Sequence, residues 1–115
     1  METLKKKKDF DSVFKEGKGC QGDLLFLKVA RNQKGFNRIA FSVSQKIAKK
    51  AVSRNRMRRM MRQAMLDLSE DIEKGLDMVF VARTAFEKEK SQRVREEIKE
   101  LLKKVGIYKD KTNKK

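Results

Sequence analysis

The chain has 115 residues, enough for one domain with a modest core, and its 31 Lys and Arg against 16 Asp and Glu give a formal charge of +15. It contains no His and a single Cys, which removes the usual general base near neutral pH, the commonest metal ligand and any disulfide framework. No apolar run approaches the roughly 18 residues of a membrane span; Asp9, Asp11 and Glu16 stand where a secretion signal needs apolar residues, so a cytoplasmic protein without a membrane partner is expected.

Phe10, Val13 and Phe14 recur at i, i+3, i+4, which predicts a short amphipathic helix over Asp9–Glu16, ended by Gly17 and Gly19. Cys20, without ligand partners nearby, reads as a small packed residue. The apolar, β-favouring run Asp23–Arg31 predicts a strand, and 32–37, with Gly35, a hairpin-like turn. Arg38–Ser44 alternates Ile39, Phe41 and Val43 with Ala40, Ser42 and Ser44, the pattern of a half-buried strand.

A long helix follows, over about Lys50–Glu70. Met57, Met60, Met61, Ala64, Met65 and Leu68 form one stripe wide enough to pack on a sheet. Asn55, Arg56, Arg59, Arg62 and Gln63 fall on the opposite half, and Arg58 flanks the stripe. Leu76–Arg83, introduced by Gly75, predicts another strand. A final helix over Ser91–Lys104 carries Val94, Ile98, Leu101, Leu102 and Val105 on one stripe. The chain thus reads as a single domain over 1–108 with a basic, polar tail over 109–115 that need not be ordered. Helix, two strands, helix, strand, helix describes an α+β or α/β sandwich built on one sheet.

The charge is unevenly placed. Between Asp23 and Asp67 there is no acidic residue but there are twelve Lys and Arg, whereas Asp67–Glu100 holds ten acids and seven bases. In the long helix, Lys50–Arg54, Arg54–Arg58 and Arg58–Arg62 are like-charge i, i+4 pairs, each unfavourable by roughly 0.2–0.5 kcal/mol. Cations in the first turns also oppose the helix dipole, by roughly 0.3–1 kcal/mol each. A solvated face would intersperse Glu to relieve this. The arginines therefore point to a polyphosphate, which a guanidinium fork grips bidentately, with Lys46, Lys49 and Lys50 adding mobile point charges.

The run Ser44–Ala64, SQKIAKKAVSRNRMRRMMRQA, closely resembles the strand–loop–helix of the bacterial ribonuclease P protein subunit, whose hallmark is Arg-Asn-Arg followed by a basic pair. Here these are Arg54-Asn55-Arg56 and Arg58-Arg59. LKKKKDFDSVFKEGK resembles that family's opening helix, and DMVFVAR its final strand. The resemblance implies a two-layer α/β sandwich, like the second domain of ribosomal protein S5, with an extra short strand near Lys18–Gln21. It also implies a left-handed crossover from Arg38–Ser44 through the long helix to Met78–Arg83, contrary to the usual hand.

In function it implies the protein cofactor of an RNA enzyme that removes the 5′ leader of precursor tRNA. The catalytic groups and the bound magnesium would lie in the RNA, so no catalytic or metal-binding residue is assigned to this chain. Lys49, Lys50, Arg54, Asn55, Arg56, Arg58, Arg59 and Arg62 would meet the catalytic RNA. Phe10, Phe14, Lys28, Gln45, Lys46 and Arg83 would meet the single-stranded leader, in a cleft between the first helix and the sheet; Phe10 and Phe14 serve equally well as plain core. Lys28 stands where the family often has an aromatic or apolar residue. Asp9 and Asp11 look like salt-bridge partners. The protein alone is expected to be monomeric. The alternatives are a ribosomal-type structural RNA-binding protein and a helix-turn-helix DNA binder. The flanking strands, and the lack of a preceding helix joined by a tight turn, argue against the second. A protein-only nuclease is disfavoured by the missing catalytic groups.

Overall fold

A computed structural model describes residues 2–109. In chain order these form β1 (Glu2–Thr3), α1 (Lys7–Glu16), β2 (Lys18–Gln21), β3 (Leu25–Arg31), β4 (Arg38–Ser42), α2 (Ala51–Leu68), a 3-10 turn (Ser69–Asp71), β5 (Leu76–Ala82) and α3 (Ser91–Lys104). The strands make one sheet in the order β1-β4-β5-β3-β2. β4 and β5 run parallel, joined through α2, while β3 pairs antiparallel with both β5 and β2. The basic tail expected over 109–115 falls outside the described residues except for Lys109, whose N–H bonds the Asp71 carbonyl.

Strand alternation sends one set of side chains to each face. Leu25, Leu27, Val29, Ile39, Met78 and Phe80 meet the α2 and α3 stripes in the main core. All six apolar stripe residues of α2 are buried, as their spacing predicts. α1 lies on the reverse face, where Leu4 and Val13 cover Ala40 and Val79 in a smaller cluster. This corrects the expectation that Ala40 is on a solvated face: the reverse of β4 is roofed by α1 and the residues before it.

Buried polar groups hold the turns. Glu97 of α3, only 7% exposed, accepts the Leu24 and Leu25 N–H groups at 2.7 Å each and the Arg93 guanidinium at 3.2 Å. That knot occupies the predicted start of the third strand, so β3 begins at Leu25 rather than Asp23. Asn37 likewise joins two segments, accepting from Leu76 N–H and donating to the Glu73 carbonyl. Gly75, at φ +83°, turns the chain into β5 in a conformation that suits glycine.

Candidate nucleic-acid interface

α2 starts after a loop, with Lys50 as its N-cap and no side-chain cap bond. Its cations differ in how far they are already committed. Arg54, half-buried, donates one nitrogen to the carbonyls of Ala48 and Lys49 at 3.0 and 2.7 Å, tying the helix to its own entry loop. Arg56 donates to the Glu87 carbonyl at 2.8 Å, and Arg58 to Asn55 Oδ1 at 2.8 Å. The Arg62 guanidinium lies 5.6 Å above the Phe41 ring, a cation–π contact that holds it over the edge of the sheet. Among the described residues, Arg59 has no hydrogen-bond or ion-pair partner, and neither do the exposed Lys49 and Lys50 side chains.

Six ion pairs connect described residues, and none uses a cation of α2. The helix therefore faces outward with its positive charge uncompensated. Val52, 71% exposed, and the exposed Leu66 flank that face with apolar contact area.

The second surface lies on the reverse side of the sheet. α1 is fixed there by charge. Asp77, 6% exposed in β5, receives Arg38 Nε and Nη2 at 2.8 and 2.7 Å and Asn32 Nδ2 at 2.8 Å. The same guanidinium reaches Asp9 of α1 at 3.2 Å. The hydrogen bond to Asp77 is the main cause that raises the pKa of the half-buried Arg38 guanidinium above its ordinary value. Asp9 is thus a salt-bridge partner, although of Arg38 rather than of the adjacent lysines.

At 3.6 residues per turn, Asp9 lies about 40° to one side of the inward-facing Val13, while Phe10 and Phe14 lie about 60° and 100° to the other. The Arg38 anchor therefore turns both phenylalanines toward the opposite end of the strands. Phe10 is half-buried against the smaller cluster, and Phe14 is 43% exposed. The two residues have different surroundings: Phe10 is partly core, and Phe14 is open to a ligand.

Beyond α1, the sheet presents the cross-strand row Ser42–Val81–Phe26–Gln21. Ser42 and Gln21 are exposed, Phe26 is half-buried and Val81 packs against the smaller cluster, so this row is the more open floor. Lys28 lies one row nearer α1, its ammonium 3.2 Å from the Gly17 carbonyl. Gln45 and Lys46 follow β4, and Arg83 follows β5; parallel pairing brings all three to the floor's end of the sheet. Arg83 donates to the Gly22 carbonyl.

Phe26 was not among the residues singled out from sequence. The signal was available: with Leu25, Leu27 and Val29 directed to the core, alternation puts Phe26 beside Lys28 on the reverse face.

Cys20 packs against the main core with its thiol 3.5 Å from the Leu101 carbonyl, and burial pushes its pKa up, away from nucleophilic use. No group of three or more His, Cys, Asp or Glu among the described residues could hold a metal ion. The two basic surfaces lie on opposite faces of the sheet and converge at the 43–50 loop. They suit polyanion binding at one face and an extended strand with exposed bases at the other.

The sequence pattern of the Ribonuclease P family matches residues 1–106. The ribonuclease P protein component of Clostridium kluyveri is 38% identical over 109 residues, covering 92% of this chain and 96% of that protein. That of Clostridium botulinum strain Loch Maree is 36% identical, covering 91% and 95%. Among solved structures, the ribonuclease P protein of Thermotoga maritima superimposes with a TM-score of 0.80 at 30% identity, over 91% of this chain and 98% of that one. The Staphylococcus aureus protein gives 0.84 at 22% identity, over 94% and 98%, a likeness of fold.

Proposed function

The chain belongs to the ribonuclease P protein family, and we propose that it grips the catalytic RNA with α2 while holding the 5′ leader of precursor tRNA against the reverse face of its sheet. It is the protein subunit of an RNA-based endoribonuclease that matures the 5′ end of tRNA, and it associates with the ribonuclease P RNA. The observation that carries the interface assignment is the α2 face, whose cations have no carboxylate partner among the described residues.

On this reading Arg56, Arg58, Arg59 and Arg62, with Asn55, Lys49 and Lys50, bind phosphates of the folded RNA. Arg54 acts mainly by holding the entry loop. Phe10 and Phe14 form a wall for the leader, while Lys28, Gln45, Lys46 and Arg83 lie within reach of its backbone and base edges. Aromatics supply a sequence-tolerant stacking surface and cations follow the phosphates. The chemistry is assigned to the RNA and its magnesium. Asp9 and Asp77 are both committed to Arg38, and no step is routed through a protein-bound ion. A monomer before assembly and a cytoplasmic setting complete the proposal; among the described residues, no helix is long and apolar enough to cross a membrane.

Reconstitution tests it. The protein is mixed with a bacterial ribonuclease P RNA and 5′-extended precursor tRNA at low magnesium. A gain in correct cleavage over RNA alone is expected, larger for long leaders than for a one-nucleotide leader. No gain would overturn the proposal. A gain independent of leader length would remove the leader surface and leave α2 binding intact.

A further inference from the structure

We propose that β2 is a self-association edge: two copies of the chain pair antiparallel through β2, about a two-fold axis at Cys20, once their mutual repulsion is neutralised. The two sheets then run on as one, with α3 of each copy side by side on the same face. This surface is separate from both nucleic-acid surfaces described above.

Three observations carry it. First, the register leaves one side of β2 free. The Gly22 N–H bonds the Leu25 carbonyl at 2.8 Å, so alternation makes Cys20 and Lys18 the next residues bonded to β3, opposite Leu27 and Val29. Gly19 and Gln21 therefore turn their N–H and carbonyl groups away from the sheet, and no described residue takes them. An open edge of this kind is a template for another strand.

Second, a copy of the same edge fits it. A two-fold axis at Cys20 sets Gly19 opposite Gln21 of the second copy, and Gln21 opposite its Gly19. Every outward N–H then meets an outward carbonyl. The strand residue that faces its own image is Cys20, small and uncharged, so the axis brings no like charges together within the strands.

Third, the charge beside this edge is self-complementary. The axis reverses chain direction, so Lys18 falls opposite Gly22 of the second copy and next to its Asp23, whose side chain is 88% exposed. The Cys20 thiol lies 3.5 Å from the Leu101 carbonyl, which sets that point of α3 level with the axis. Glu100, just before it, then meets Lys103 and Lys104 of the second copy, just after it. These three line the groove between α3 and the β2–β3 turn, and none belongs to an ion pair among the described residues. Against pairing stands the net charge of +15 on each copy, which keeps the free protein a monomer at low salt and which salt screens.

Sedimentation equilibrium of the full-length protein tests this, with concentration raised to about 0.5 mM and salt from about 50 to 500 mM. A monomer–dimer equilibrium that tightens as salt rises is expected. Gln21→Pro removes an outward N–H and leaves the bonds to β3 in place. It should weaken the dimer by at least about ten-fold with Tm unchanged. Lys18→Asp and Asp23→Lys should each weaken it by about three-fold, since each pair occurs twice, and the double exchange should restore the wild-type constant.

A chain that stays monomeric across the whole range overturns the proposal. So does a dimer indifferent to Gln21→Pro, or single charge exchanges that the double exchange does not reverse.

Discussion

Replacing Arg54 and Arg59 separately by alanine should separate structural from phosphate-binding arginines within one helix. Arg54 makes two charge-assisted bonds to backbone carbonyls, at 3.0 and 2.7 Å. A bond to a charged group contributes roughly 1.5–3 kcal/mol, but both go to a single nitrogen of a half-exposed side chain, and water can replace it at the exposed Lys49. A loss of about 1–1.5 kcal/mol remains, or about 4–6 °C in Tm for a domain of this size. Arg59 has no intramolecular partner among the described residues, so its removal should leave Tm unchanged.

Binding to the catalytic RNA should show the reverse order. Losing one phosphate contact reduces the slope of log K against log salt by about 0.9 for a duplex, or 0.7 for a single strand. Between 50 and 200 mM salt, a four-fold range, that makes the affinity deficit of Arg59→Ala shrink by about three-fold. Arg54→Ala should weaken binding by a factor that salt does not alter, because it loosens the entry loop. Fluorescence anisotropy of labelled RNA across that salt range, beside thermal melts, measures both. An unchanged slope for Arg59→Ala would refute the assignment, and so would a reduced slope with a normal Tm for Arg54→Ala.

Glu97→Ala orphans the Leu24 and Leu25 N–H groups and leaves Arg93 with only its 3.4 Å pair to the exposed Asp23, so urea unfolding should report a loss of about 2–4 kcal/mol. Gly17→Ala would bring a Cβ within 2.5 Å of the Val13 and Val29 carbonyl oxygens; at φ −84° the obstacle is steric contact with backbone, and a destabilisation of about 1–3 kcal/mol is expected in the same assay. The Cys20 thiol has its pKa raised by burial, with Lys104 opposing, so the folded chain keeps a proton that the unfolded chain releases near 9.0. Stability contributed by the neutral thiol is complete below that pH and falls as pH rises through the folded value. The difference in urea midpoint between wild type and Cys20→Ala, followed from pH 8 to about 10.5, should move against wild type only in the upper part of that range.

Periodicity is a local property, and wherever the answer depended on it the sequence was sufficient. The stripe of α2 from Met57 to Leu68 is buried as its spacing requires, and α3 spans the predicted Ser91–Lys104. The acid-free window was equally legible, because charge excess needs no fold to be counted. What local pattern cannot encode is a partner far along the chain. Glu97 reads as one more charge on a polar helix until the fold brings it to Leu24, 73 residues away. Asp77 and Arg38 look like ordinary strand-end charges until parallel pairing joins them and Asp9 docks α1 on top. That docking angle made Ala40 core and Phe14 surface, and left Phe26 uncovered.

Composition and spacing determined that this chain carries a cationic helix packed on a sheet, because helix and strand periods sort side chains by face. Tertiary structure decided which of those cations are still available to a ligand, because availability depends on what each guanidinium already touches. Arg54 is held by carbonyls and Arg62 by an aromatic ring, and Arg59 faces outward without a partner among the described residues.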